Sequence, residues 1–319
     1  TYEVTDYLKE GKNAAGAILA AGWYKGKMGF EGLAKRRNHY GENTALLAQM
    51  VIRYEDGTEE TVVTDENWNG ADAPVVFAEI YDGEIYDAAK EIKDWAEADC
   101  KDGQWKPVRK LDYDFSVLTG QGSGKVSLMD EVKPKEIFRT PAGDTVIDFG
   151  QNMSALIQVT AAGKKGDVIQ LDCFEVLDSK GNVYLDNLRG AKESLQYTFG
   201  EDGTITYRPS FTFMGFRYAK IVSFPGEPSL DNFTANAIHT NMERTGFLET
   251  SNQDLNQLAH NILWGLKSNF VDVPTDCPQR DERLGWTGDA EIFCRTACFL
   301  ENTYSFYRKW LRDVEADPD

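Results

Sequence analysis

Residues 251–270 read SNQDLNQLAHNILWGLKSNF, and the hydrophobic period changes within them. Ser251-Asn252-Gln253-Asp254 offers N-cap chemistry, and Leu255, Leu258, Ile262, Leu266 and Phe270 follow at spacings of three and four. That spacing gathers the apolar side chains on one face of a helix, with the cap residues satisfying its first N–H groups. Val273-Pro274 ends it, because proline lacks the donor that a helix interior needs. Helical spacing resumes over Ala290 to Leu300 and again over Thr303 to Val314.

Upstream the period is that of strands. Leu46 to Tyr54, Thr61 to Thr64, Thr145 to Phe149, Leu156 to Thr160, Val168 to Phe174, Ser194 to Phe199 and Arg217 to Val222 are short runs rich in β-branched and aromatic residues. Glu55-Asp56-Gly57, Lys180-Gly181-Asn182 and Asp202-Gly203 fit the tight turns between such runs. A helix-like stretch at Tyr86 to Glu97 is the exception. Many short strands without intervening helices predict antiparallel sandwiches, not a parallel sheet. The Gly/Ser/Gln-rich stretch Thr119 to Gly124 reads as a seam. The expectation is a multidomain chain: a β-sandwich over residues 1–120, a second over 121–240, and an all-helical domain beginning at 241–319. Thr1 to Thr5 reads as a strand already under way, and three helices leave an apolar face open. The chain is therefore expected to be truncated at both ends.

With 34 Lys plus Arg against 52 Asp plus Glu, the net charge is −18. Such a field repels phosphate backbones and anionic lipid, which excludes nucleic acid and membrane surfaces as partners. No apolar run approaches a membrane span. Cys100, Cys173, Cys277, Cys294 and Cys298 are few, odd in number and irregularly spaced. That argues against a disulfide framework and favours a reducing, cytoplasmic setting. A zinc site could be drawn from Cys294, Cys298, His260 and Cys277, but no CxxC pair supports it, and no metal is expected. Gly163-Lys164-Lys165-Gly166 reads as a hairpin turn and not a phosphate loop. His39, His239 and His260 are isolated and read as structural or solvated. Trp23 and Tyr24 fit a sandwich core or a carbohydrate platform.

Between the first two helices lies TDCPQRDERLGWTGD, residues 275–289. Asp276, Arg280, Asp281, Glu282, Arg283 and Asp289 sit there with Pro278, Gly285, Trp286 and Gly288. Glycosidic cleavage needs two carboxyl groups about the scissile oxygen, further charged groups on the sugar hydroxyls and an aromatic face against the ring. The loop supplies these residue types. The same types also build surface ion-pair networks, and spacing alone leaves both readings open.

The order Asp276-Cys277-Pro278-Gln279-Arg280-Asp281-Glu282-Arg283-Leu284-Gly285-Trp286-Thr287-Gly288-Asp289-Ala290 resembles the signature of the bacterial α-L-rhamnosidases, inverting glycoside hydrolases of family 78. Asp148 to Ser154 and Asn187 to Lys192 resemble that family's second β-domain. Ala21 to Gly26 resembles its N-terminal β-domain, and Asn261 to Gly265 the first helix of its (α/α)6 catalytic barrel. The resemblance implies Glu282 as general acid, Asp276, Arg280 and Asp289 as rhamnose-binding residues, and Trp286 as a pocket wall. It implies no cofactor, a rhamnose-containing glycoside as ligand, and a general base beyond Asp319, so that the chain by itself is expected to be inactive. A homodimer is also compatible with it. A general acid must hold its proton, so Glu282 is expected to have a raised pKa, with Asp281 and Asp289 as neighbours and Trp286 excluding water. Arg280 is expected to face Asp276 or the sugar and not Glu282. The alternative function is a non-catalytic carbohydrate-binding protein built on the β-sandwiches. A structural interaction module, which would bind no rhamnose, is the third.

Overall fold

The computed structural model describes residues 1–30, 37–101 and 104–316. They are mostly sheet through residue 240 and helical thereafter. β1 (Gln49–Arg53) and β2 (Glu59–Val63) form a hairpin apart from the rest, turned at Gly57. The remaining long strands are β3 (Val75–Glu79), β4 (Gly83–Asp87), β5 (Val126–Val132), β6 (Glu136–Arg139), β7 (Thr145–Gly163), β8 (Val168–Phe174), β9 (Ser194–Thr198), β10 (Gly203–Tyr207), β11 (Met214–Ser223) and β12 (Phe233–Thr240).

These ten make one sheet in the order β3-β4-β9-β8-β11-β7-β12-β5. β6 pairs with the first residues of β7 and β10 with its last, so the 19-residue β7 is the spine. Every pairing in it is antiparallel except β4 with β9. The strands of residues 75–87 thus extend the sheet formed by residues 126–240. β8 and β9 alternate buried and half-buried side chains, as a sheet with one core face requires. Ile147, Phe149, Ile157, Leu171, Leu195 and Phe216 are essentially inaccessible and form the main core. Each such side chain contributes roughly 1.5–3 kcal/mol by leaving water.

The expected helix at Tyr86 to Glu97 is absent. Tyr86 lies within β4, stacked on Tyr197 at 5.4 Å, and a 3-10 helix of three residues at Ala88–Lys90 and isolated turns follow it. The Asp87 carboxylate caps that 3-10 helix by accepting from the Ala89 N–H at 3.1 Å. Pairing with β9 and aromatic stacking outweigh a weak local helical preference. The Gly163 to Gly166 stretch is a turn, closed by Asp167 N–H on the Lys164 carbonyl at 2.9 Å, but not the expected hairpin: it joins β7 to β8, and β11 lies between those two strands in the sheet. Trp23 packs edge-on against Tyr81 at 5.9 Å, beside a buried cluster, while Tyr24 is exposed.

α1 (Gln253–Asn269) starts where the cap residues place it: the Asn252 side chain accepts from the N–H groups of Asp254 and Leu255. α2 (Thr287–Leu300) begins three residues before the expected start, with Gly288 inside its first turn, and α3 (Tyr304–Ala316) follows. Leu266, Phe270, Ala297, Leu300 and Phe306 make a second core, with Phe270 stacked on Phe306 at 4.5 Å. β12 is buried along its whole length because the sheet core covers one side and α1 packs against it. Among the described residues no helix is long and apolar enough to cross a membrane.

Candidate active site

The loop from Thr275 to Trp286 lies between α1 and α2 and is closed on itself by Asp276. The Asp276 N–H donates to the Leu284 carbonyl at 3.1 Å, and its carboxylate accepts from the Leu284 N–H at 2.9 Å. Arg280 Nη2 donates to Asp276 Oδ2 at 3.2 Å and Arg280 Nε to Glu282 Oε2 at 3.2 Å. Arg280 therefore bridges both carboxylates. The expectation that it would avoid Glu282 is corrected: with one residue between them on a tight loop, the guanidinium fork reaches both.

Glu282 receives two further donors. Trp286 Nε1 donates to Oε1 at 3.0 Å, and Arg189 Nη2 donates to Oε2 at 2.8 Å. The electrostatics follow. Burial pushes the Glu282 carboxyl up, but the hydrogen bonds from Arg189 and Trp286 and the charges of Arg280 and Arg189 outweigh it, and the net displacement is below the ordinary value. The expected raised pKa is thus overturned in this arrangement. Trp286 acts here as a hydrogen-bond donor. Asp281 is buried and accepts from Arg189 Nε at 2.7 Å, so its charge is already matched.

The backbone here is strained. Glu282 has φ 144° and Arg283 φ 47°, regions that cost a non-glycine residue about 1–3 kcal/mol each. Arg283 supplies the restraint. Its side chain, fully buried beneath the loop, donates from Nη1 to the carbonyls of Ile80 and Phe213, both at 2.9 Å. It also donates to the carbonyls of Gln279 and Arg280, both at 3.0 Å, and pairs with the buried Glu193 carboxylate. Glu193 accepts on its other oxygen from the Gly215 N–H at 2.9 Å. Gly285 has a packing reason: a Cβ there would lie 2.7 Å from Trp310 Nε1.

Asp289, exposed in the first turn of α2, lines with Asp276, Asn269, Phe270 and Phe293 a cleft of about 520 Å³. A larger depression of about 830 Å³ contains none of the loop residues. Asp276, Cys277 and Glu282 place one ligand-type atom each within 4.8 Å of one another. Burial pushes the Cys277 thiol up to about 12, so a thiolate is disfavoured, and the Arg280 guanidinium already lies between the two carboxylates. Of the zinc candidates, Cys277 is buried, and Cys294 donates to the carbonyl of Glu291 within its own helix.

Of the five expected site residues, Asp276, Arg280, Glu282 and Trp286 are joined by shared hydrogen bonds, and Asp289 is related to them only through the cleft it lines with Asp276. Sequence reasoning missed Arg189, Tyr81 and Glu193, and named Arg283 without giving it a role. Arg189 lies within Asn187 to Lys192, a segment marked by resemblance, but spacing gives no sign that it crosses 93 positions to Glu282.

Comparison with known proteins bears on this geometry. The alpha-L-rhamnosidase N-terminal domain model matches residues 1–130. The bacterial alpha-L-rhamnosidase concanavalin-like domain matches 138–239, and the bacterial alpha-L-rhamnosidase 6 hairpin glycosidase domain 243–318. An alpha-L-rhamnosidase of Streptomyces avermitilis is 40% identical over 98% of this chain and 30% of its own length. One from Formosa agariphila is 35% identical over 98% of this chain and 34% of its own. The crystal structure of the Streptomyces avermitilis alpha-L-rhamnosidase complexed with L-rhamnose superposes with a TM-score of 0.89 at 39% identity, covering 94% of this chain and 29% of that one. The native Aspergillus terreus enzyme gives a TM-score of 0.89 at 38% identity, over 92% and 34%. The chain spans about a third of the length of these relatives. Three models in succession over nearly all its residues, and relatives matched along almost its full extent, place the chain in the bacterial alpha-L-rhamnosidase family.

Proposed function

We propose that this chain carries the acid-bearing part of a glycoside hydrolase that releases terminal α-L-rhamnose with inversion at the anomeric carbon. The observation that supports it most is the convergence of Asp276, Arg280, Glu282 and Trp286 on one loop beside the Asp289 cleft, in a chain similar to a relative solved with L-rhamnose. In this reading Glu282 protonates the glycosidic oxygen. Asp276 and Asp289 accept from sugar hydroxyls and Arg280 donates to them, the stronger class of hydrogen bond because one partner is charged. Trp286 offers its ring face to the apolar side of the sugar. A glycoside entering the cleft excludes water from Glu282, which opposes the pull of the guanidinium groups and favours the protonated form.

An inverting reaction needs a second carboxyl about 6.5–9.5 Å from the first to activate water. We assign it, on the family resemblance, to a glutamate beyond residue 319, and expect the 319 residues alone to release no rhamnose. For architecture we propose two β-sandwich units, 1–120 and 121–240, and a start of the (α/α)6 barrel at 241–319. The break between matched domains at 239/243 supports the second boundary; the first break, at 130/138, falls at least ten residues later than the proposed one, and β3 and β4 reach across it.

The test is incubation of the protein bearing this chain and its catalytic domain with an aryl α-L-rhamnoside, with the anomer released followed by proton NMR. Release of β-L-rhamnose first supports the reading. Rhamnose binding without release would favour the non-catalytic carbohydrate-binding alternative.

A further inference from the structure

We infer that Arg189, carried on the turn before β9, is a positioning residue for Glu282: clamped by Asp281, it holds the acid's carboxylate in a fixed place relative to the sheet. The inference rests on the reading of Glu282 as general acid.

Arg189 is built for reach. It follows the 3-10 turn Asp186–Leu188 with φ 53° and ψ −105°, a conformation that a non-glycine residue keeps only under constraint. Its neighbour Gly190 lets the loop come close, since a Cβ there would lie 2.6 Å from Asp281 Oδ2. The buried Asp281 carboxylate accepts from Arg189 Nε at 2.7 Å, and the Asp281 carbonyl accepts from Nη2. With the fork held at those points, Nη2 meets Glu282 Oε2 at 2.8 Å. The Phe30 ring lies 5.8 Å from the guanidinium carbon and 6.0 Å from the Trp286 ring, closing the other side.

Arg280 also touches Glu282, but it belongs to the same loop and moves with it. Arg189 ties the carboxylate to the sheet. This explains why an aspartate stands directly before the acid: Asp281 orients Arg189 and does not meet sugar.

The contact matters to the reaction because it is made to the ionised form. When Glu282 acts, its O–H bond breaks, the proton passes to the glycosidic oxygen, and the C–O bond cleaves with its electron pair staying on that oxygen. Glu282 is left as a carboxylate, and Arg189 stabilises the charge as it develops, so its contribution is larger in the transition state than before it. The charged groups around Glu282 are Arg189 and Asp281, Arg280 and Asp276, with the Cys277 thiol nearby and the Trp286 indole as a neutral donor.

The experiment is a carbon-13 NMR titration of the Glu282 carboxyl in this chain, its signal assigned by loss in Glu282→Gln. The parent is compared with Arg189→Gln and Arg189→Lys. Arg189→Gln should move the midpoint to higher pH, and Arg189→Lys, which keeps a charge but not the fork, should fall between. An unchanged midpoint in folded Arg189→Gln overturns the proposal. If that variant does not fold, a parent-like midpoint in Arg189→Lys overturns it instead. In the protein with its catalytic domain, Arg189→Gln should lower kcat about 10- to 100-fold with little change in KM, as expected for misplacing a reacting group. The basic limb of the pH profile should move up with the NMR midpoint. A parent that releases no rhamnose while the NMR shift persists overturns the general-acid reading, a result distinct from failure of the Arg189 contact.

Discussion

The Tyr81 hydroxyl donates a 2.5 Å hydrogen bond to the backbone carbonyl of Glu282, 201 positions away. It accepts in turn from the Gly29 N–H at 3.1 Å. Burial pushes the Tyr81 phenol up to about 12, so it stays a donor throughout the neutral range. A residue of the N-terminal region thus fixes the carbonyl next to a strained φ on the expected catalytic residue. Tyr81→Phe should leave that carbonyl and the Gly29 N–H unpartnered and cost about 1–3 kcal/mol. Urea unfolding reads this; an unchanged midpoint would show that the hydroxyl does not hold the loop.

Arg283 and Glu193 are paired with no solvent access to either side chain. Burial already pushes the Glu193 carboxyl up to about 8 against the pull of Arg283, so Arg283→Met strands a buried carboxyl and four backbone carbonyls without their donor and should cost about 3–5 kcal/mol. Combining it with Glu193→Gln should destabilise by less than the sum of the two single changes, since the two groups interact directly. Additive losses in a denaturation cycle would contradict the pairing.

Asp276 and Arg280 are not equivalent. Asp276 closes the loop through Leu284 as well as holding Arg280, whereas Arg280 has only carboxylate partners among its side-chain contacts here. Arg280→Ala should weaken rhamnose binding with little change in melting temperature, and Asp276→Ala should lower both. Calorimetric titration with L-rhamnose beside thermal melts separates the two. Equal stability losses would mean that the Asp276–Leu284 ring carries no energy.

The acid limb of stability should depend on Glu282. Its folded pKa lies below the ordinary value of 4.5, so its stabilising contribution is present in full above that value and is lost as pH falls through the folded pKa. Glu282→Gln should therefore flatten the fall of unfolding free energy in that acidic window. An unaltered slope would show that the Arg189 and Trp286 contacts do not persist in solution.

Local signals made much of this legible, and long-range ones did not. The cap at Asn252 and the three-four spacing from Leu255 placed α1 to within a residue or two, because a helix is written in near neighbours. The closeness of the five candidate residues was legible in the order of residues 276–289, which lie on one loop and the first turn of α2. The pairing of β4 with β9 was not, since a parallel ladder leaves no mark in either strand alone, and Tyr86 was read as helix. Arg189 and Tyr81 escaped for the same reason: what they do depends on where the sheet delivers them. The Glu282 electrostatics were misjudged because the loop's own composition does not reveal a guanidinium arriving from elsewhere.

The central claim is that Glu282 delivers the proton to the leaving oxygen. The direct measurement is kcat of Glu282→Gln against the parent, both with the catalytic domain, across rhamnosides whose leaving groups range from alkyl alcohols to nitrophenols. Loss should reach orders of magnitude for alkyl leaving groups, which need protonation, and shrink steadily as the leaving group becomes more acidic. A loss of only a few-fold on alkyl rhamnosides, or one independent of the leaving group, would place the acid on another residue.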